Sequence, residues 1–144
     1  MKLISHRGNI DGRVPEKENN PSYIKKAVEL GYDVEVDVWM INKEFFLGHD
    51  KPQYKVHKSF FLYIKDKAWI HCKNLEALNN IDKSLNYFWH QNDDFTLTSK
   101  GFIWTYPEKE ITNNSVIVLK DNNKNIVGNP YAVCTDFVKA FEMV

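Results

Sequence analysis

The stretch Gly31 to Asp50, GYDVEVDVWMINKEFFLGHD, decides the fold. Val34, Val36 and Val38 alternate with Glu35 and Asp37, the period-two pattern of a β-strand whose successive side chains point to opposite faces. The valines face packing, and the two carboxylates lie side by side on the other face. Two like charges held so close raise each other's pKa unless a cation sits between them, and a hard divalent ion is the simplest relief. A half-exposed edge strand with its acids in water fits the same pattern. Beyond the strand, Phe45-Phe46-Leu47-Gly48 brings the chain back across the rim and sets His49, followed by Asp50, over the same mouth.

Upstream, Lys2-Leu3-Ile4-Ser5 reads as a first buried strand whose C-terminal end delivers His6 and Arg7. Residues 9–20, NIDGRVPEKENN, are loop by their Gly, Pro and Asn content. A helix starts at Pro21, with Asn20 as N-cap, Ile24, Ala27 and Val28 as its apolar stripe, and Gly31 as its stop. Strand, loop, helix and strand in this order make a parallel βαβ unit. Functional groups in such units gather at the C-terminal ends of the strands, where His6, Arg7, Glu35 and Asp37 fall.

The ordered motifs His6-Arg7-Gly8, Glu18-Asn19, Glu35-x-Asp37 and Gly48-His49-Asp50, all within residues 1–50, resemble those of the glycerophosphodiester phosphodiesterase family. That family belongs to the wider phosphatidylinositol-phospholipase-C-like phosphodiesterases, which are (β/α) barrels. The resemblance implies His6 and His49 as the two proton-transfer groups, with the acid and the base unassigned. It implies Glu35 and Asp37 as metal ligands and Glu18 as a further ligand or a support for one. The family carries a third metal-binding glutamate two residues before a lysine. Here that position is His71, with Lys73 retained, and Thr135-Asp136 matches the family's last strand. Arg7, a planar fork, and Lys73, a point charge, are the phosphate donors. Three carboxylates suit Mg²⁺, Ca²⁺ or Mn²⁺, and exchanging one for imidazole moves the preference toward softer ions such as manganese, iron or zinc. Either the metal site is retained with an altered preference, or metal binding has been lost. Taken alone, His71 also reads as a hydrogen-bonded core histidine.

Residues 55–67 form either a short amphipathic helix or an irregular cover. Ala68 to Asn74 is a third strand, with Trp69, His71 and Lys73 on one face and Ile70 and Cys72 on the other. Asn74 then caps a helix bearing Leu75, Leu78 and Ile81. Further strands fall at 85–91, 102–106, 115–119 and 131–137, and Val138, Phe141 and Met143 suit a last helical turn. Seven strands with two clear helices, in a chain well short of the ~250 residues of a full barrel, lead to an α/β expectation. The expected fold is a single domain over 1–144, a reduced or incomplete TIM-type (β/α) barrel with several outer helices missing. His90, Gln91, Trp104 and Asp136 end later strands and would line the opening.

The charge balance, 19 basic against 19 acidic residues, gives no net field that selects nucleic acid or an anionic membrane. No apolar run approaches a membrane span and none forms a signal peptide, so a cytoplasmic protein is expected. Cys72 and Cys134 read as packed free thiols. A barrel short of helices leaves strand surface bare, and Trp89, Phe102, Trp104 and Tyr106 in the helix-poor half suggest a homodimer that covers it. The resulting expectation is a metal-dependent phosphodiesterase acting on a glycerol- or sugar-linked small-molecule or glycan phosphodiester. The alternatives are a non-catalytic phosphate- or sugar-phosphate-binding protein and a structural partner subunit.

Overall fold

A computed structural model describes residues 1–123 and 125–142. The spine of the molecule is β2 (Asp33–Ile41), because three strands share it. It pairs in parallel with β1 (Lys2–His6) and with β5 (Ala68–Cys72). Where β1 runs out, β3 (Glu44–Leu47) takes its place on the same edge, antiparallel, and β4 (Tyr54–Val56) pairs with β3. The β2–β3 connection is Asn42-Lys43, with φ of +50° and +66°. Both central residues are left-handed, which twists the hairpin the way its strands already twist.

On the far side of β1 the sheet continues through β10 (Ala132–Thr135), β9 (Ser115–Leu119), β8 (Ile103–Thr105) and β7 (Phe95–Leu97). β6 (Tyr87–Phe88) extends the opposite end beyond β5. Among the described residues the antiparallel pairs are β2–β3, β3–β4 and β7–β8, and the other pairings are parallel. The sheet curls, and Ser99, just beyond β7, bridges to β6: its N–H donates to Tyr87 O at 2.8 Å and its hydroxyl accepts from Tyr87 N at 2.9 Å.

The (β/α) barrel expectation is corrected here. The molecule is a strand-rich, mostly β, curled half-barrel sheet with few helices, and strand and helix do not alternate around it. Among the described residues, three of the four helices fall in the first 80 residues: α1 (Pro21–Glu29), α2 (Lys58–Ile64) and α3 (Leu75–Asn80). Only the four-residue α4 (Val138–Phe141) follows. The reason lies in connection length. A helical crossover needs about a dozen residues, whereas the links around β7, β8 and β9 are shorter or filled with Pro and Asn.

The helices that do form follow their local chemistry. Asn20 caps α1 by accepting from Ser22 N, Pro21 takes the first position, and Ile24 and Ala27 are fully buried. Residues 58–64 resolve as a helix because Phe60, Phe61 and Ile64 share its buried face. Asn74 caps α3 from Ala77 N and also grips the spine, accepting from Met40 N and donating to Met40 O. Leu75, expected on the packed side of α3, is instead 75% exposed, and Ala77 and Ile81 carry the contact.

The two faces of the sheet bury different things. Under the three larger helices, Val34, Val36, Val38, Ile70 and Cys72 join Ile24, Phe61 and Ile64 in the main core. Each fully buried aliphatic there contributes about 1.5–3 kcal/mol. The concave face holds Ile4, Trp69, Phe88, Trp104, Val116, Ala132 and Cys134. Trp104 and Phe102 therefore turn into the curl and pack on Trp69, with ring centroids 6.1 and 5.1 Å away. They are not the bare outer surface the sequence suggested, although Tyr106 remains 44% exposed. Outside, Ile117 and Val133 pack against Phe141 of the short α4, with Leu3, Ile111 and Ile126 completing the cover. Both cysteines are free and buried on opposite faces of the sheet. No helix among the described residues is long and apolar enough to cross a membrane. Met143 lies outside the described residues.

Candidate functional site

Register assembles the site. His6 pairs with Glu35, and Asp37 pairs with His71. Neighbouring strands lie about 4.8 Å apart, so these four side chains meet on the concave face where β1 and β5 end. Glu35 and Asp37, expected at the end of their strand, instead sit in the first half of β2, which runs on to Ile41 and pairs there with β3. The hairpin then brings in the second imidazole, because Gly48 N–H donates to Asp37 O at 3.1 Å and seats His49 beside the spine. A Cβ on Gly48 would come within 2.0 Å of Lys51 O, so a larger residue would displace that turn.

One hollow of about 330 Å³ at this end is lined by His6, Arg7, Glu35, His49, His71 and Lys73. His90, Gln91 and Trp104 line it too. Four further residues, Tyr106, Pro107, Val118 and Lys120, complete the wall. Sequence reading had not singled these out as site residues, since an exposed tyrosine and lysine beyond short strands carry no spacing signal. Lys120 Nζ lies 5.5 Å from the centre of the Tyr106 ring, close enough for a cation–π contact.

Each catalytic candidate has one imidazole nitrogen tied down. His6 Nδ1 lies 2.8 Å from Asp136 Oδ1, and Asn9 Nδ2 donates to the same oxygen at 2.9 Å. Asp136, expected to read substrate, thus sits behind His6 and orients it. Burial depresses the His6 pKa, but the hydrogen bond to Asp136 and the charge of Glu35 outweigh it, and the balance is upward. His49 Nδ1 meets Asp50 Oδ1 at 2.7 Å on the solvent side. Its pKa is lowered, first by burial and then by the Arg7 charge.

Arg7 stands at the turn out of β1 with φ +58°, followed by Gly8 at +92°. A Cβ at Gly8 would lie 2.6 Å from the Tyr23 ring, which accounts for glycine in the His-Arg-Gly motif. The guanidinium is held between two acids, Nε at 3.2 Å from Asp37 Oδ2 and Nη1 at 3.4 Å from Glu18 Oε1. Glu18 also accepts from Asn9 at 2.8 Å and from Arg13 at 3.2 Å. It holds Arg7 and lies outside the Glu35, Asp37 and His71 group, so of its two expected roles, ligand or support, its contacts are those of a support. Asn19, at φ +65°, fastens Asp37 twice, donating to Oδ2 at 2.9 Å and accepting from its backbone N–H at 3.0 Å.

The remaining carboxylate oxygens are stranded. Glu35 Oε1 and Asp37 Oδ1 are buried without a hydrogen-bond donor. Burial and then the Asp37 charge push the Glu35 carboxyl upward. Burial works the same way on Asp37, but His71, Arg7 and Asn19 outweigh it and hold that carboxyl well below its usual range. Glu35, Asp37 and His71 each present a ligand atom, all within 4.8 Å of one another. Two buried acceptors with no donor beside an imidazole nitrogen are what a divalent ion would satisfy, so the residues fit a metal.

Searches against family models, curated proteins and solved structures return no match.

Proposed function

We propose that the chain is a metal-dependent phosphodiesterase acting on a glycerol- or sugar-linked phosphodiester. One observation carries this reading: two separately anchored imidazoles, two cationic side chains and Glu35 border a single hollow, with Asp37 buried beside Glu35 on the same strand. Phosphodiester cleavage needs a proton removed from the nucleophile, a proton delivered to the leaving oxygen, and positive charge over the phosphoryl oxygens. These groups supply all three.

His49, more exposed and with the lowered pKa, takes the proton from the attacking hydroxyl. As the new P–O bond forms and the bond to the leaving oxygen breaks, His6 gives its proton to that oxygen. Two groups whose environments push their pKa values apart divide into base and acid in this way. The attacking hydroxyl belongs to the substrate, beside the phosphate, or to water. Asp136 holds the His6 imidazolium in orientation, and Lys73 and Arg7 face the phosphoryl oxygens. A divalent ion on Glu35, Asp37 and His71 would polarise the phosphate or lower the pKa of the attacking hydroxyl.

Hydrolysis of bis(p-nitrophenyl) phosphate across a panel of divalent ions tests the proposal. Wild type turns over, and His6→Ala and His49→Ala each lose roughly 10²–10⁴-fold while keeping the wild-type melting curve. A wild type inert with every ion, yet binding glycerol phosphate in a calorimeter, would replace the enzyme with a sugar-phosphate-binding protein.

A further inference from the structure

We infer that the ion of this site is a zinc-like transition dication ligated by His71 Nδ1, and not Mg²⁺ or Ca²⁺; the inference rests on the reading of Glu35, Asp37 and His71 as a metal site. His71 Nε2 lies 3.0 Å from the backbone oxygen of His90. A carbonyl only accepts, so Nε2 carries a hydrogen. That leaves Nδ1 as the nitrogen that would ligate, 3.2 Å from Asp37 Oδ1 and 3.9 Å from Glu35 Oε2. The nearer contact is too poorly aligned for a hydrogen bond, and Asp37 Oδ1 has no donor. One ligand atom from each of the three residues therefore borders one small gap, all within 4.8 Å of one another.

The donor set selects the ion. Asp37 Oδ2 is occupied by Asn19 at 2.9 Å and by Arg7 at 3.2 Å, which leaves Asp37 one free oxygen and no bidentate mode. Ca²⁺ asks for six to eight oxygens, and Mg²⁺ for an octahedron of hard ones. One imidazole nitrogen and two single carboxylate oxygens match a three-residue zinc site with room for water or substrate, and nitrogen donors favour the later first-row ions. The imidazole is also preorganised. It stacks on Phe88 with ring centroids 5.2 Å apart and planes inclined by 13°, and the His90 carbonyl fixes its rotation from behind.

Calorimetric titration of the metal-free full chain, without substrate, tests this. Zn²⁺ is expected to bind roughly 100-fold or more tightly than Mg²⁺ or Ca²⁺, and Co²⁺ to give the intense visible absorption of a four- or five-coordinate ion. His71→Glu narrows the zinc preference to less than roughly tenfold, and Glu35→Gln weakens zinc binding. The cobalt spectrum of the wild type serves where the His71 variant does not fold. Mg²⁺ or Ca²⁺ binding as tightly as Zn²⁺, a pale six-coordinate cobalt spectrum, or zinc affinity unchanged in Glu35→Gln would overturn the inference. Cleavage supported only by Mg²⁺ would leave the proposed function standing without it. A zinc-selective protein inert toward phosphodiesters would do the reverse.

Discussion

The first half of the molecule and the second solve the same problem differently. Through residue 81, parallel strands are backed by helices, and the valines of β2 face Ile24, Phe61 and Ile64. From residue 82 onward, the strands are backed mainly by irregular chain, and the large aromatics move to the inside, where Phe88 and Trp104 stack with centroids 4.5 Å apart. The helix-backed half carries nearly all the chemistry: His6, Arg7, Glu35, Asp37, His49, His71 and Lys73. The helix-poor half supplies a wall, the supporting carboxylate Asp136, and the Phe88 ring and His90 carbonyl that hold His71. Burying two acids on β2 requires a strand that cannot shift, and three pairing partners and a helical cover hold it. A wall that only bounds a hollow tolerates looser construction.

Trp69 joins the halves and is the place to break them apart. It lies on β5 of the first half, is 3% exposed, donates to Asp33 Oδ2 at 2.9 Å and packs on Phe102, Trp104 and Tyr131. Trp69→Ala should cost about 3–5 kcal/mol in a denaturant titration. A loss below about 1 kcal/mol would mean that the aromatic core does not couple the halves.

Asp136 is the second half's contribution to the proton-transfer step. Asp136→Asn should lower phosphodiester turnover roughly tenfold to a hundredfold. The sign of its pH effect follows from the roles assigned above. Activity rises with pH as His49, whose pKa is depressed, loses its proton, and falls as His6, whose pKa is raised, loses its own. Removing the Asp136 charge lowers the His6 pKa, so the alkaline limb should move to lower pH while the acid limb stays. An unmoved alkaline limb would separate Asp136 from the proton-transfer step.

A smaller contrast lies within α3. Asn74→Ala removes the cap and its grip on Met40 and should cost about 1–2 kcal/mol. Leu75→Ser, one residue on, should change stability by less than about 0.5 kcal/mol, because that side chain is in solvent. Equal effects in thermal melts would contradict the placement of the helix.

The same division governs what could be read in advance. In the helix-backed half, the alternation along β2, the Asn20-Pro21 start of α1 and the faces of β5 were legible, because strand and helix periods are local signals. β3 and β4 were not legible as strands, since Glu44–Leu47 and Tyr54–Val56 are short and the β2–β3 turn Asn42-Lys43 has no glycine. In the second half, strands were expected at 85–91 and 102–106, but only two and three residues of them pair, and β7 went unread. The (β/α) barrel expectation failed for a related reason. Strand number could be counted from apolar runs, but what covers a strand is a tertiary matter. For the site, the motifs pointed to six residues that border one hollow and to Asp37 buried beside them, while the contacts that orient them were hidden. Asn9 reaches Asp136 across 127 residues, and Asp136 reaches His6 across 130, distances over which spacing says nothing.

The central claim is that His6 and His49 serve one phosphate-sized hollow. Histidine side-chain NMR during a titration with glycerol phosphate measures it directly, with exposed His57 as internal control. The resonances of His6 and His49 should shift together along a common saturation curve while those of His57 stay in place. Movement of one without the other, or of neither, would contradict the claim.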